Sequence, residues 1–377
     1  MDHQREEKFF AVVAPGLEPV CATELAELGF AAPEVLAGGV AFTGRLADLY
    51  RANLWLRSAS RVVVRLARFR CRAFPDLYRA AVRLPWGSFL RPGTPLRCRV
   101  TCRQSRMMHS ERVAETLQAA VAHVLGEAAP QPAVREQLLL VRIVDDQVEL
   151  SLDSSGELLH RRGYRTAVAA APLRETLAAG VLRLLEWDGT QPLADPLCGT
   201  GTFLLEALLL AGERAPGLHR EFAFMAWPGY RPGLWQALCA EARRRERPIL
   251  TTISGGDAAA EPLMAARANL ERLDLAGSVA LVQLPLAEQP VHLGSGLVLC
   301  NPPYGRRLLA DVPLGPYFAG LGRELQRAYP GWRKALLIPE PHLARATGLP
   351  LREVAPLENG GLRIGLYATP ANIAVAD

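Results

Sequence analysis

Lysine is almost missing from this chain of 377 residues: it occurs only at Lys8 and Lys334, so nearly all of the 43 Lys and Arg residues are arginines. Cysteine is sparse and odd in number at seven, and no pair of CxxC units occurs, which argues against a disulfide framework and against a zinc site. Cys98 and Cys102 are read as reduced residues of a strand region, and no metal is expected. No segment approaches the ~18 uninterrupted apolar residues of a membrane span. The opening MDHQREEKFF carries charges where a secretory signal needs an apolar run, so a cytoplasmic protein without a membrane partner is expected. Neither GxGxxG nor a Gly-Lys-Ser/Thr phosphate loop is present, which disfavours nucleoside triphosphates. There is no internal repeat, and nothing points to an obligate protein partner.

The most informative absence is that of acids in one stretch. Residues 51–112 hold 15 arginines but only two acids, Asp76 and Glu111. Residues 1–170 carry 23 Lys and Arg against 18 Asp and Glu, whereas residues 171–377 carry 20 of each, so the excess charge is N-terminal. A solvated surface in an arginine-rich proteome would intersperse acids; this stretch is suited to attracting a polyanion and releasing its counterions.

Half of the residues are apolar and 21% are charged, the profile of a soluble globular protein, and the length calls for more than one hydrophobic core. FFAVV reads as a strand, followed by a Pro15-Gly16 turn and a helix bearing Leu25 and Leu28. A helix, a β-branched strand around Val62 and Val64, and a helix-strand-helix-strand run to about Asp153 complete an α+β unit, its last strand spanning LLLVRIVDDQVELSLD. After Ser154-Ser155-Gly156 strand-loop-helix units take over, beginning with PLADP and continuing through ISGGD, VALVQL and GLVLCNPPYG. Such alternation builds an α/β, doubly wound, mostly parallel sheet that binds ligands at the carboxyl ends of its strands.

Asp195-Pro196-Leu197-Cys198-Gly199-Thr200-Gly201-Thr202 places an acid at a strand end, small residues at a sharp turn, and then a helix start. Asp195 suits an ammonium group and the N–H groups near Gly201 and Thr202 suit a carboxylate, the two ends of a methionine moiety. Asp257, after Gly255-Gly256, stands where an acid accepts from ribose hydroxyls, a role compatible with helix capping. In Asn301-Pro302-Pro303-Tyr304 the Asn301 side-chain carbonyl and the Pro302 backbone carbonyl can accept from both N–H bonds of an exocyclic amino group. The paired prolines stiffen the loop, and Tyr304 can stack on an extruded base. This pattern points to methylation of a base amino group by a sulfonium donor.

Arg103, Arg106 and His109 precede a helix and suit phosphate or 2′-hydroxyl groups. Arg161, Arg162 and Arg165 sit at the expected domain junction, for RNA or for ion pairing. Phe222, Phe224 and Trp227 suit either core packing or the wall of a base pocket.

FFAVVAPGLE, GGVAF, YRANLWLRSASRV, LHRRGYR, APLRETLAA, DPLCGTGTFLLEA, APGLHREFAFMAWPG and NPPYGRRL together make nearly the whole chain resemble the THUMP-domain class I methyltransferases that form N2-methylguanosine in RNA. The resemblance implies a ferredoxin-like subdomain over residues 1–60, a THUMP RNA-binding domain over 61–155, a linker over 156–170 and a Rossmann-like catalytic domain over 171–377. It implies S-adenosylmethionine as cofactor, with Asp195, Gly199, Gly201 and Asp257 at cofactor-contacting positions and Asn301, Pro302 and Tyr304 as the catalytic loop; Cys198, Thr200 and Thr202 of the same glycine loop are counted with the cofactor-binding residues. The implied substrate is structured RNA, 23S rRNA ahead of tRNA; an N6-adenine methyltransferase and a non-catalytic RNA-binding factor are the rival readings. The chain departs from the family at Val282-Gln283-Leu284-Pro285-Leu286, which lacks the acid usual after the third strand, and at Ala258-Ala259-Ala260, which lacks a second one.

Overall fold

A computed structural model describes residues 6–126, 135–165, 173–303 and 313–370, so Tyr304 lies outside the described residues. The chain divides into two units, one of residues 1–13, 21–159 and 217–241, the other of residues 14–20, 160–216 and 242–377.

The first unit is built on strands β1 (Glu7–Val13), β2 (Glu34–Leu36), β3 (Gly39–Gly44), β4 (Ala59–Arg70), β5 (Leu96–Arg103), β6 (Gln137–Val144) and β7 (Gln147–Asp153). They form one sheet in the order β2-β3-β1-β4-β7-β6-β5. Among the described residues of this sheet β5 and β6 pair in parallel and the other pairs are antiparallel. Helices α1 (Glu18–Glu27), α2 (Leu46–Trp55), α3 (Phe74–Val82) and α4 (Ser110–Leu125) belong to the same stretch of chain. The expected 60/61 boundary falls within β4, which pairs with β1 on one side and β7 on the other, so the two expected N-terminal parts share a sheet.

The run LLLVRIVDDQVELSLD, expected as one strand, is a hairpin. Asp145 and Asp146 both adopt positive φ, 51° and 61°, which gives the tight turn whose twist matches paired strands. Aspartate tolerates that conformation better than most residues, so the DD pair was the turn signal. Asn53 of α2 is buried and its Nδ2 donates to Ser154 Oγ at 2.9 Å, while Ser155 Oγ donates to Asn53 Oδ1 at 2.6 Å; this fastens the helix to the chain leaving β7. Phe222, Phe224 and Trp227 are buried. Phe224 stacks on Tyr50 at 4.3 Å and on Phe222 at 5.2 Å, so these aromatics are core of the first unit.

The second unit holds β8 (Leu193–Asp195), β9 (Ile253–Asp257), β10 (Ala280–Gln283), β11 (Leu297–Cys300), β12 (Arg333–Ile338), β13 (Arg352–Asn359) and β14 (Leu362–Ala368) in the order β10-β9-β8-β11-β12-β14-β13. The first five of that order run parallel, and β14 turns antiparallel against β12. Helices α5 (Glu175–Leu184), α6 (Thr202–Ala211), α8 (Ala260–Arg272), α9 (Leu314–Ala328) and α10 (Pro341–Ala346) connect the strands, and α7 (Pro232–Arg244) starts in the segment of the first unit. Strand order reverses between β8 and β11, which makes the carboxyl ends of these two strands the place for a ligand. α6 is apolar on nearly every side, as its sequence TFLLEALLLA requires of a fully buried helix. Among the described residues no helix is long and apolar enough to cross a membrane.

Replacing Phe224 with alanine removes the centre of the aromatic cluster and is expected to cost about 3–5 kcal/mol in chemical denaturation. A loss below about 1 kcal/mol would show that the cluster relaxes around the cavity.

Candidate active site

The loop after β8 is held by the end of β9. Cys198 N–H donates to Gly256 O at 2.8 Å, and Gly199 N–H donates to Asp257 Oδ2 at 2.9 Å. The second carboxylate oxygen of Asp257 accepts from Ala259 N–H at 2.9 Å, ahead of α8. Asp257 therefore joins the glycine loop, its own strand and the next helix, and each oxygen keeps a lone pair for a further donor. Gly255 and Gly256 permit this approach: a Cβ on Gly255 would lie 2.4 Å from Leu204 Cδ1, and one on Gly256 2.4 Å from Gln289 Nε2.

Gly199 and Gly201 have φ of +53° and +77°, as a sharp turn into α6 demands. Space beside Gly199 is open, with no atom within 4 Å of where a Cβ would stand. Cys198, Thr200 and Thr202 are buried around it. Asp195 is buried and accepts from Leu197 N–H at 3.2 Å. Burial, with the nearby Asp257 charge, pushes its carboxyl up to about 8. A carboxylate so placed is short of a cation.

On the neighbouring strand, β11 ends at Cys300 and delivers Asn301. Its Oδ1 is buried and has no hydrogen-bond partner among the described residues. Pro302 follows, buried. An unsatisfied buried amide carbonyl costs stability, and such exceptions are characteristic of groups reserved for a ligand.

Two of the three arginines of LHRRGYR, Arg162 and Arg165, face inward rather than outward. Arg162 is buried and makes two bonds of 3.2 Å to the carboxylate of Glu206, which also accepts from Tyr164 Oη at 3.3 Å. Arg165 pairs with Glu175 at 3.0 Å and donates to Thr202 Oγ1 at 2.7 Å. These guanidiniums brace α5 and α6, so of the expected junction trio only Arg161 remains exposed. Arg103, Arg106 and His109 are exposed on the first unit.

Two structural residues escaped the sequence reading. Glu206, the one acid in TFLLEALLLA, had to have a cation, and the nearby arginines were the signal. Gln289 is buried and its Nε2 donates to Pro196 O at 3.0 Å and Leu284 O at 3.1 Å, linking the loops after β8 and β10. The acid-free segment after β10 is thus fixed by an amide; a lone glutamine gave no sequence signal.

A family model described as "RMKL-like, methyltransferase domain" matches residues 162–364, and one described as "RlmL ferredoxin-like domain" matches residues 8–63. The chain is 35% identical over 364 residues to a candidate RNA methyltransferase of Synechocystis sp., with 94% of each chain covered. It is 37% identical over 372 residues to the ribosomal RNA large subunit methyltransferase K/L of Methylococcus capsulatus, with 95% of this chain and 50% of that one covered. The chain spans about half the length of the K/L enzymes it matches. Among solved structures, SMU.472, a candidate methyltransferase complexed with SAH, is 28% identical with a TM-score of 0.89, covering 98% of this chain and 99% of that one.

Because folding raises the Asp195 pKa, the unfolded chain ionises first, and this group lowers stability as pH climbs from the ordinary carboxylate range to about 8. Asp195→Asn is expected to flatten that decline in thermal melts across the window, while weakening SAH binding about tenfold or more by calorimetry. Unchanged SAH affinity would remove Asp195 from the cofactor site.

Proposed function

The chain belongs to the RMKL-like methyltransferase family, and we propose that it transfers a methyl group from S-adenosylmethionine to N2 of a guanosine in RNA of the large ribosomal subunit. The observation that carries this reading is the buried Asn301 carbonyl at the end of β11, without a partner among the described residues and beside the strand that bears the glycine loop.

The residues present fit the cofactor. The open space over Gly199, the Asp195 carboxyl in want of a cation and the spare lone pairs of Asp257 match a small, cationic nucleoside ligand. Asp195 would hold the ammonium of the methionine moiety, the N–H groups at the start of α6 its carboxylate, and Asp257 the ribose hydroxyls. When bound, the cofactor supplies an electrophilic methyl group on a sulfonium, so the enzyme needs no metal to activate it.

The chain's own task is the amino group. The N2 lone pair is delocalised into the guanine ring and must become localised as nitrogen turns pyramidal. Asn301 Oδ1 and the Pro302 carbonyl accept from its two N–H bonds and favour that geometry, and Pro302 and Pro303 keep the two acceptors fixed before the substrate arrives. Tyr304, outside the described residues, is assigned to stacking on the extruded base. Solvent takes the proton released from nitrogen after transfer.

RNA as the polymer is supported by the acid-poor stretch of residues 51–112 and by the names of the relatives. Guanine N2 rests on the family resemblance. In this reading residues 1–60 and 61–155 form the ferredoxin-like and THUMP-like RNA-gripping parts, residues 156–170 the linker and residues 171–377 the catalytic part. Arg103, Arg106 and His109 are assigned to RNA, joined by Arg161.

Incubation with labelled cofactor and separate rRNA, tRNA and DNA fractions is expected to label large-subunit rRNA, with the product released as N2-methylguanosine on nucleoside digestion. Label in DNA alone would sink the reading. Asn301→Ala is expected to lower turnover at least ~10²-fold with cofactor affinity retained.

A further inference from the structure

Register puts a set of arginines on one side of the first unit's sheet. Across β4, β7, β6 and β5, Arg70 aligns with Gln147, Val144 and Arg103; Arg68 with Glu149, Arg142 and Thr101; and Arg65 with Ser151, Leu140 and Arg99. Residues aligned across strands share a face, and Arg97 lies two residues before Arg99 on the same side of β5. The intervening row of Phe69, Val148, Ile143 and Cys102 points the other way and is buried or half-buried. Arg68, Arg70, Arg97, Arg99, Arg103 and Arg142 are all exposed.

This charge has little local compensation. Glu149 is paired with Arg65, and Arg97 pairs with exposed Glu136. Among the described residues Arg68, Arg70, Arg99, Arg103 and Arg142 have no acidic partner. Burial and the repulsion from Arg142 and Arg68 outweigh Glu149 and hold the Arg65 guanidinium below its ordinary range. Like charges gathered on one face of a sheet repel one another and are kept at a cost to stability. Protection of an open edge would account for arginines on β5, the outermost strand, but Arg68, Arg70 and Arg142 sit on interior strands.

The spacing and the residues between the arginines specify the ligand. Three strand gaps span about 14 Å, and the six-residue step from Arg97 to Arg103 spans about 20 Å, a broad area rather than a cleft. Its other residues are Thr101, Leu140, Val144, Gln147, Ser151 and Glu149, the last engaged by Arg65, so among the described residues of these rows no aromatic ring is offered for base stacking. Single strands are held by such rings, whereas double-helical RNA is held through its backbone and shape, and guanidinium forks match phosphate oxygens.

We propose that the open face of β4, β7, β6 and β5 is a docking surface for the phosphate backbone of double-helical RNA, centred on Arg68, Arg99 and Arg142. It rests on the reading that the substrate is RNA, and it sets Arg103 as the junction between this face and the loop carrying Arg106 and His109.

The full chain with Arg68→Ala, Arg99→Ala and Arg142→Ala combined is to be titrated with a short RNA duplex of arbitrary sequence, and with a single strand of equal length, over a range of salt. Duplex affinity is expected to fall tenfold or more, and the slope of log affinity against log salt to shrink by about 2–3. A control lacking three exposed arginines outside the face, Arg79, Arg83 and Arg91, should bind duplex within threefold of the parent, and SAH binding should be unaltered in both variants. Parental duplex affinity and slope in the sheet variant would overturn the proposal, as would a loss confined to the single strand. Arginine-dependent duplex binding without methylation of any RNA would leave the surface standing and defeat the methyl-transfer reading; methylation with arginine-independent binding would do the reverse.

Discussion

The bond from Gly199 N–H to the Asp257 carboxylate is the constraint on which the site depends. A glycine loop by itself is a flexible turn, and flexibility is a poor property in a binding wall. Tying its backbone to the acid that closes β9, while the same acid organises the entry to α8, joins two strand ends and a helix start into one rim. The cost is a dense negative corner: Asp257 adds to the burial that already keeps Asp195 from ionising easily. A cationic ligand relieves that stress on arrival, so the site is most comfortable when filled.

Much of this was readable from the chain because each step had a local physical signature. Small residues between a buried strand and a buried helix dictated the loop, and the strand-helix alternation dictated the parallel sheet. Where a signature was absent or ambiguous, the reading faltered. The hairpin at Asp145-Asp146 hid inside an apparently continuous strand, since two aspartates signal a turn less strongly than a glycine does. Arg162 and Arg165 looked available to a polyanion because exposure cannot be inferred from a basic cluster alone; it depends on whether an acid such as Glu206 is stranded in an apolar helix nearby. Gln289 illustrates the opposite limit, a side chain that bonds two main-chain carbonyls, one of them, that of Pro196, far away in sequence, and which no pattern marks.

The two units also place their charged groups differently. In the second, Arg162 and Arg165 are engaged with Glu206 and Glu175, and buried Lys334 donates to the carbonyls of Tyr329 and Trp332 at 2.6 and 3.0 Å. There, cations act as internal fasteners. In the first, most of the arginines of the sheet face point to solvent without acids, and the fold tolerates the mutual repulsion.

That face contains no lysine. Guanidinium remains charged throughout the physiological pH range, and the enzymatic acylation that neutralises lysine ammonium groups has no target among its residues. The grip on a polyanion is therefore a constant of the molecule, adjustable from outside mainly through the ions that compete for it.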